Sequence, residues 1–408
     1  MNIANKVFSC LCIIVLCISC LHQIPNTNKL STPENIEEIE ILPVDSSKSK
    51  IIRIDKPINR IESGNIISEI SYIPIETNDS VLIGCYQNVI IYKDYIYIFD
   101  GLSAKAVFIF NIQGKYIKKI GDYGGAPNEF YMLSGMSIDK ENNNLVLFDN
   151  RKRKFFYYTL SGDYIRNEEI NLRLFGKYGF LPSGEVVSST SQNDMNIHLD
   201  KFNDYRLIYQ DTLGNISKVA FKYNDNEKLY IAWSNIFYMD DELIYYPQFT
   251  NSIYTIREDK VELRYIFDLS RFDYIDNNKI LTLKSDKEFD EYVSGKCYLE
   301  PYVRENRTHV SFSIKNKNER YYYLYDKESL KHIGFKSILF SDGKIIDLPT
   351  LFSNDDYFIA EIKINALYDY LAYCEKAKIT IPKDLEIIKS HLKDDDNSIL
   401  ALFKIKKL

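Results

Sequence analysis

The stretch "YIYIFDGLSAKAVFIFNIQGKYIKKI" (95–120) recurs as "NLVLFDNRKRKFFYYTLSGDYIRNEE" (144–169). Asp100 falls on Asp149, Phe110 on Tyr158 and Gly114 on Gly162, at offsets of 49, 48 and 48 residues. Each copy reads as a strand, an Asp-containing turn, a second strand, a Gly hairpin and a third strand. A weaker copy is "DELIYYPQFTNSIYTIREDKVELRYIF" (241–267), in which "REDK" replaces the Gly hairpin; "RYYYLYDKESLKHIGF" (320–335) is a further candidate. A repeated antiparallel unit of roughly 40–50 residues is the pattern of a β-propeller blade. One such sheet cannot bury both faces alone, whereas radial packing lets each blade cover its neighbours. An irregular β-sandwich would also show many short strands, but the matched Asp and Gly offsets favour the propeller.

The 33 Tyr and 23 Phe among 408 residues agree with a strand-rich chain. Two segments depart from it. "NALYDYLAYCEKA" (365–377) sets Leu367, Leu371 and Cys374 on one helical face, and the stretch after Pro382 does the same with Leu385, Ile388 and Leu392. These predict a helical insertion over about 365–393, followed by a closing strand over about 398–407 in "SILALFKIKK". A last strand paired into the blade begun near the N-terminus would close the ring and remove an exposed edge.

Lys6 precedes "VFSCLCIIVLCIS", an apolar run too short to span a bilayer, which reads as a signal peptide over residues 1–19. It ends "LCISC", so Cys20 stands where a bacterial lipobox places its lipidated cysteine, with Cys17 in the place usually held by leucine. The expected partner of Cys20 is therefore the membrane, reached through acyl chains. Residues 20–50, with "STPENIEEIE" and "PVDSSKSK", read as a polar tether, and residues 51–408 as the propeller domain. The formal charge of −6, with both signs interspersed, argues against a nucleic-acid partner. Cys85, Cys297 and Cys374 are too few and too scattered for a disulfide framework.

No local motif carries catalysis. The histidines His22, His198, His309, His332 and His391 show no metal-ligand spacing, and no Gly-x-Ser-x-Gly is present. The acid clusters at 273–278 and 394–397 lack the ordered spacing and central Gly of a calcium loop. The reading is accordingly no catalytic residue, no metal and no cofactor. "RKRKFF" (151–156) could meet an anionic partner, but a solvated turn is the stronger reading. In "KIGDYGGAPNEF" (119–130), Gly121, Gly124, Gly125, Pro127 and Glu129 lie between the two aligned repeats. The dinucleotide pattern Gly-x-Gly-x-x-Gly and the Walker Gly-Lys-Ser/Thr are both missing, so the segment reads as a blade-to-blade corner, with Glu129 accepting from backbone N–H groups.

The stretches "ISEISYIPIETNDSVLIG" (67–84), "FIFNIQGKYIKKIGDYGGAPNEF" (108–130), "SIDKENNNLVLFD" (137–149) and "YYYLYDKES" (321–329) resemble the six-bladed β-propeller lipoproteins of Bacteroidota, which are related to NHL-repeat propellers. The resemblance implies six blades and an envelope location, and no particular reaction. The expectation that follows is a lipid-anchored envelope module that binds or scaffolds a protein, peptide or glycan. The alternative is a channel-centred enzyme such as a glycan lyase or lactone hydrolase. No acid lies between Cys20 and Glu34, which resembles a periplasm-facing anchor. Protease shaving of intact cells should therefore spare the protein until the outer membrane is permeabilised; rapid loss from intact cells would place it on the outside.

Overall fold

The computed structural model describes residues 30–408, apart from 127–128, 175–176, 191–195, 223–233, 240–241, 248–249, 281 and 349–350. The signal segment, Cys20 and Pro127 lie outside the described residues. Six antiparallel sheets follow one another in chain order as the blades of a propeller, each counted from its inner strand outward. Blade 1 is Asn88–Tyr92, Tyr95–Asp100, Ala106–Asn111 and Tyr116–Ile120; blade 2 is Leu133–Asp139, Asn144–Asp149, Lys154–Thr159 and Tyr164–Glu169. Blade 3 is Tyr178–Phe180, Val186–Ser189, Tyr205–Gln210 and Ile216–Lys222; blade 4 is Ser234–Met239, Glu242–Pro247, Ser252–Ile256 and Val261–Asp268. Blade 5 has a split inner strand, Cys297–Leu299 and Arg304–Glu305, followed by His309–Asn316, Glu319–Asp326 and His332–Leu339.

Blade 6 closes the ring. Its first three strands, Leu351–Ser353, Phe358–Ile362 and Ile399–Ile405, come from the C-terminal part of the chain, and its outer strand, Ile67–Ile73, from the N-terminal part. Leu400 pairs with Ile73 and Ile405 with Ile67 across that closure. The helical insertion sits between the second and third strands of this blade, as Ile364–Ala377 and Lys383–His391. Leu367, Leu371, Cys374, Leu385 and Ile388 are buried in the core between blades 5 and 6, as the helical spacing predicts.

The middle strands read as continuous apolar runs because both faces of each sheet are covered. In Tyr95–Asp100 every residue after Tyr95 is buried, and Asn144–Asp149 repeats the pattern. Six apolar clusters result, one at each blade junction. The candidate repeat at 320–335 joins this scheme in a shifted register: it supplies the third and fourth strands of blade 5, whereas 95–111 supplies the second and third of blade 1.

The stretch expected to be a free tether departs from that reading from about Asn35 onward. Glu40–Ile41 runs parallel to the outer strand of blade 3, Val44–Asp45 and Lys50–Arg53 to that of blade 4, and Ile58–Glu62 to that of blade 5. This belt has a physical cause in widely spaced apolar residues, one set for each junction it crosses. Ile39 enters the core between blades 2 and 3, Leu42 that between 3 and 4, Ile52 and Ile54 that between 4 and 5, and Ile61 that between 5 and 6. The spacing is too wide to register as amphipathic periodicity, so the segment reads as polar. The belt also covers the bare outer edges of three sheets. Ile54→Ala, at a fully buried belt position, should lower the unfolding free energy by about 2–4 kcal/mol in urea titration. Ile51→Ala, at a neighbouring side chain that is 61% exposed, should change it by less than about 0.5 kcal/mol.

Candidate functional site

The repeated Asp residues are structural. Asp100, fully buried, accepts from the Gly84 and Cys85 N–H groups at 2.8 and 3.1 Å, and from Ser103 N–H at 2.7 Å. Asp149 does the same one blade on, accepting from Tyr131, Met132, Arg151 and Lys152 at 2.6, 3.3, 2.8 and 2.9 Å. Each carboxylate ties the segment entering its blade to the turn between the second and third strands. That is why the repeat carries Asp at this offset.

The structure places Gly121, Gly124, Gly125 and Glu129 on the crossing from the outer strand of blade 1 to the inner strand of blade 2. A Cβ on Gly121 would lie 2.6 Å from Ala106 Cα, and one on Gly124 2.0 Å from Glu129 Oε2. Glu129 Oε2 accepts from Ala126 N–H at 2.8 Å. Lys152, from the basic run, donates to the Ala126 and Glu129 carbonyls at 2.9 and 2.6 Å. Lys154 pairs with Glu169 at 3.0 Å. Two of the basic run's side chains are thus engaged within the fold, one of them in the corner.

The inner strands of all six blades surround a central channel of about 1040 Å³. Its aromatic wall is formed by Tyr178, Phe180, Phe237, Tyr238, Tyr302 and Phe352. Burial drives the Tyr178 and Tyr238 hydroxyls well above their usual range, so both remain protonated donors. Tyr178 donates to the Val146 carbonyl at 2.9 Å and Tyr238 to the Phe180 carbonyl at 3.0 Å. Tyr302, by contrast, is 46% exposed and offers its ring to the channel.

Of the four cations lining the channel among the described residues, Lys93 and Lys140 lie in the turns after the inner strands of blades 1 and 2, and Lys177 and Arg304 belong to blades 3 and 5. Arg304, in the split inner strand of blade 5, donates from Nε to the Leu351 carbonyl at 3.0 Å and from Nη1 to the Val303 carbonyl at 2.8 Å. Its guanidinium carbon stands 5.7 Å from the centre of the Phe237 ring. Burial draws its pKa down to about 10, which leaves it charged at neutral pH. Lys177 immediately precedes the inner strand of blade 3; burial first, and the Arg304 charge second, push its ammonium below the usual lysine range. Among the described residues, no side chain or carbonyl pairs with the Lys177 ammonium. The acids near the channel are Glu141, which is exposed, and Asp355 and Asp356, which face Arg307 at 3.5 and 3.0 Å. Among the described residues, no three His, Cys, Asp or Glu side chains group as metal ligands.

Sequence reasoning missed Lys177 and Arg304 because the repeat is weakest between about 175 and 300. The available signal was a lone cation beside apolar residues, in "KYGFL" and "PYVREN".

A family model described as "Domain of unknown function (DUF4934)" matches residues 49–404. The chain belongs to the DUF4934 family. The match takes in the second half of the belt, Lys50–Arg53 and Ile58–Glu62, and every blade of this DUF4934 propeller. Among solved structures, a candidate exported protein from Bacteroides fragilis is similar, with a TM-score of 0.71 at 18% identity, covering 88% of this chain and 100% of that one. A member of the DUF4221 family from Bacteroides vulgatus has a TM-score of 0.50 at 10% identity, covering 84% and 98%. These likenesses concern the fold. No curated protein matches this chain.

Asp149→Ala, which removes the acceptor of four backbone N–H groups, should cost about 2–4 kcal/mol in urea unfolding. Glu129→Gln keeps an acceptor at the corner and should cost less than about 1 kcal/mol.

Proposed function

We propose that this DUF4934 protein is a lipid-anchored envelope module that binds its partner, a protein segment, peptide or glycan, in the propeller channel. The observation that supports this reading is the channel itself. It is a single concave site of about 1040 Å³, walled by rings and polar groups contributed by all six blades. Sites of this size take ligands rather than single ions, and pockets that bind are mostly preformed. A closed ring suits that role because its inner strands are fixed by packing on both faces, while the turns above them vary without cost to the core. The anchor at Cys20 and the polar residues that follow it would hold such a ring near a membrane.

The test combines a ligand panel with a blocked channel. Peptides, neutral glycans and acidic glycans are screened by thermal shift against the wild-type protein and against Ser353→Trp, which puts a bulky ring into the channel from the inner strand of blade 6. A ligand that raises the melting temperature of the wild type and leaves the blocked variant unmoved supports the reading. Ligands that stabilise both equally bind elsewhere and overturn it.

A further inference from the structure

Arg304 and Lys177 are half-buried cations on the cavity wall of a ring built to cover apolar strands. Removing a cation from water is costly unless a counter-charge or hydrogen bonds compensate. Arg304 is compensated in part, by two carbonyls, and its Nη2 has no partner among the described residues. Lys177 has backbone hydrogen bonds through its N–H and carbonyl to Ser189, and none through its ammonium among the described residues. Both line the same cavity. The cavity's other charged lining residues are Lys93, Lys140, Glu141, Asp355 and Asp356, the last two turned to Arg307. Two neighbouring cations of this kind disfavour each other, and an anion placed against both relieves the repulsion and the desolvation together.

The remaining lining narrows the anion's class. Asn88 and Ser353 border the cavity, and their side chains have no partner among the described residues. Amide and hydroxyl groups both donate and accept, which is what sugar hydroxyls require. The half-exposed Tyr302 ring lies two residues from Arg304, and an aromatic face suits the C–H face of a sugar ring. Aliphatic side chains such as Val89, Ile91, Met136 and Ile236 line the cavity as well, so the choice of a sugar over a peptide rests on Asn88, Ser353 and the Tyr302 ring.

We propose that the channel binds an acidic oligosaccharide, whose carboxylate or sulfate is held by the Lys177 ammonium and the Arg304 guanidinium, with a neighbouring sugar on Tyr302. This rests on the channel being the binding site. A guanidinium presents parallel N–H donors that match carboxylate and sulfate alike, and the ammonium adds a point charge.

Calorimetric titration of the full chain in detergent would use four probes: trigalacturonate, a sulfated chondroitin tetrasaccharide, maltotriose and triglutamate. One or both acidic sugars should bind at least about tenfold more tightly than maltotriose, and the choice between them separates carboxylate from sulfate. Lys177→Met and Arg304→Lys should each weaken that binding by about tenfold or more. Without ligand, Lys177→Met should also raise the melting temperature, because it removes an uncompensated cation; a fall would mean that Lys177 has a structural partner. Acidic-sugar binding left unchanged by both substitutions overturns the proposal, as does a preference for triglutamate. Maltotriose or triglutamate bound by the wild type and lost in Ser353→Trp would keep the channel as the binding site while rejecting the acidic sugar. Failure of all four probes in the wild type would count against both.

Discussion

Everything in this structure depends on the burial of both faces of each blade against its neighbours. A four-stranded sheet with apolar residues on both sides is unstable alone, so the six blades must form a closed ring or leave two wet apolar faces. The ring closes through Ile399–Ile405 on Ile67–Ile73, which brings strands from the two ends of the domain into one sheet. Asn397, just before that strand, adds to the closure. Its amide donates to the Glu76 and Val81 carbonyls at 2.9 and 2.8 Å, and its oxygen accepts from Ile83 N–H at 2.9 Å.

The belt extends the same logic outward. A ring seals the apolar strips between blades along the channel and along the sheets, and its outer rim is where those strips meet water. Ile39, Leu42, Ile52, Ile54 and Ile61 cover that rim at four successive junctions. Among the described residues, no belt strand pairs with blades 1 and 2; their outer strands instead carry Lys118, Lys119, Arg166, Glu168 and Glu169. Charges on an edge discourage pairing with another chain as effectively as a covering strand does. Both devices solve one problem.

The inner surface follows a different rule. Inner strands need only one good neighbour in their own sheet, so their channel-facing positions are released from packing and can carry polar or charged groups. Lys177, Arg304, Asn88 and Ser353 occupy such positions. Rigidity comes from the strands behind them, which lets a few side chains be held in place without a dedicated loop.

Blade architecture was legible from the sequence where local chemistry repeats: the Asp that ties each corner, the Gly hairpins and the apolar runs of blades 1 and 2. The helical insertion was legible because 3.6-residue periodicity is a local property. Between 175 and 300 the repeat fades. Pro247 ends the second strand of blade 4 where Asp ends those of blades 1 and 2, and residues 190–204 intervene between the second and third strands of blade 3. The belt was hidden because its apolar residues answer to the distance between blades and not to any period along the chain. The channel was hidden for a related reason: Lys177 and Arg304 are 127 positions apart in sequence and meet only because the ring brings the inner strands of blades 3 and 5 to one cavity. Strand, corner and helix can be read along the chain, since these rest on neighbours within a few residues. Which cations share a cavity, and which polar segment is bound to the ring, follows from radial closure, which no local stretch encodes.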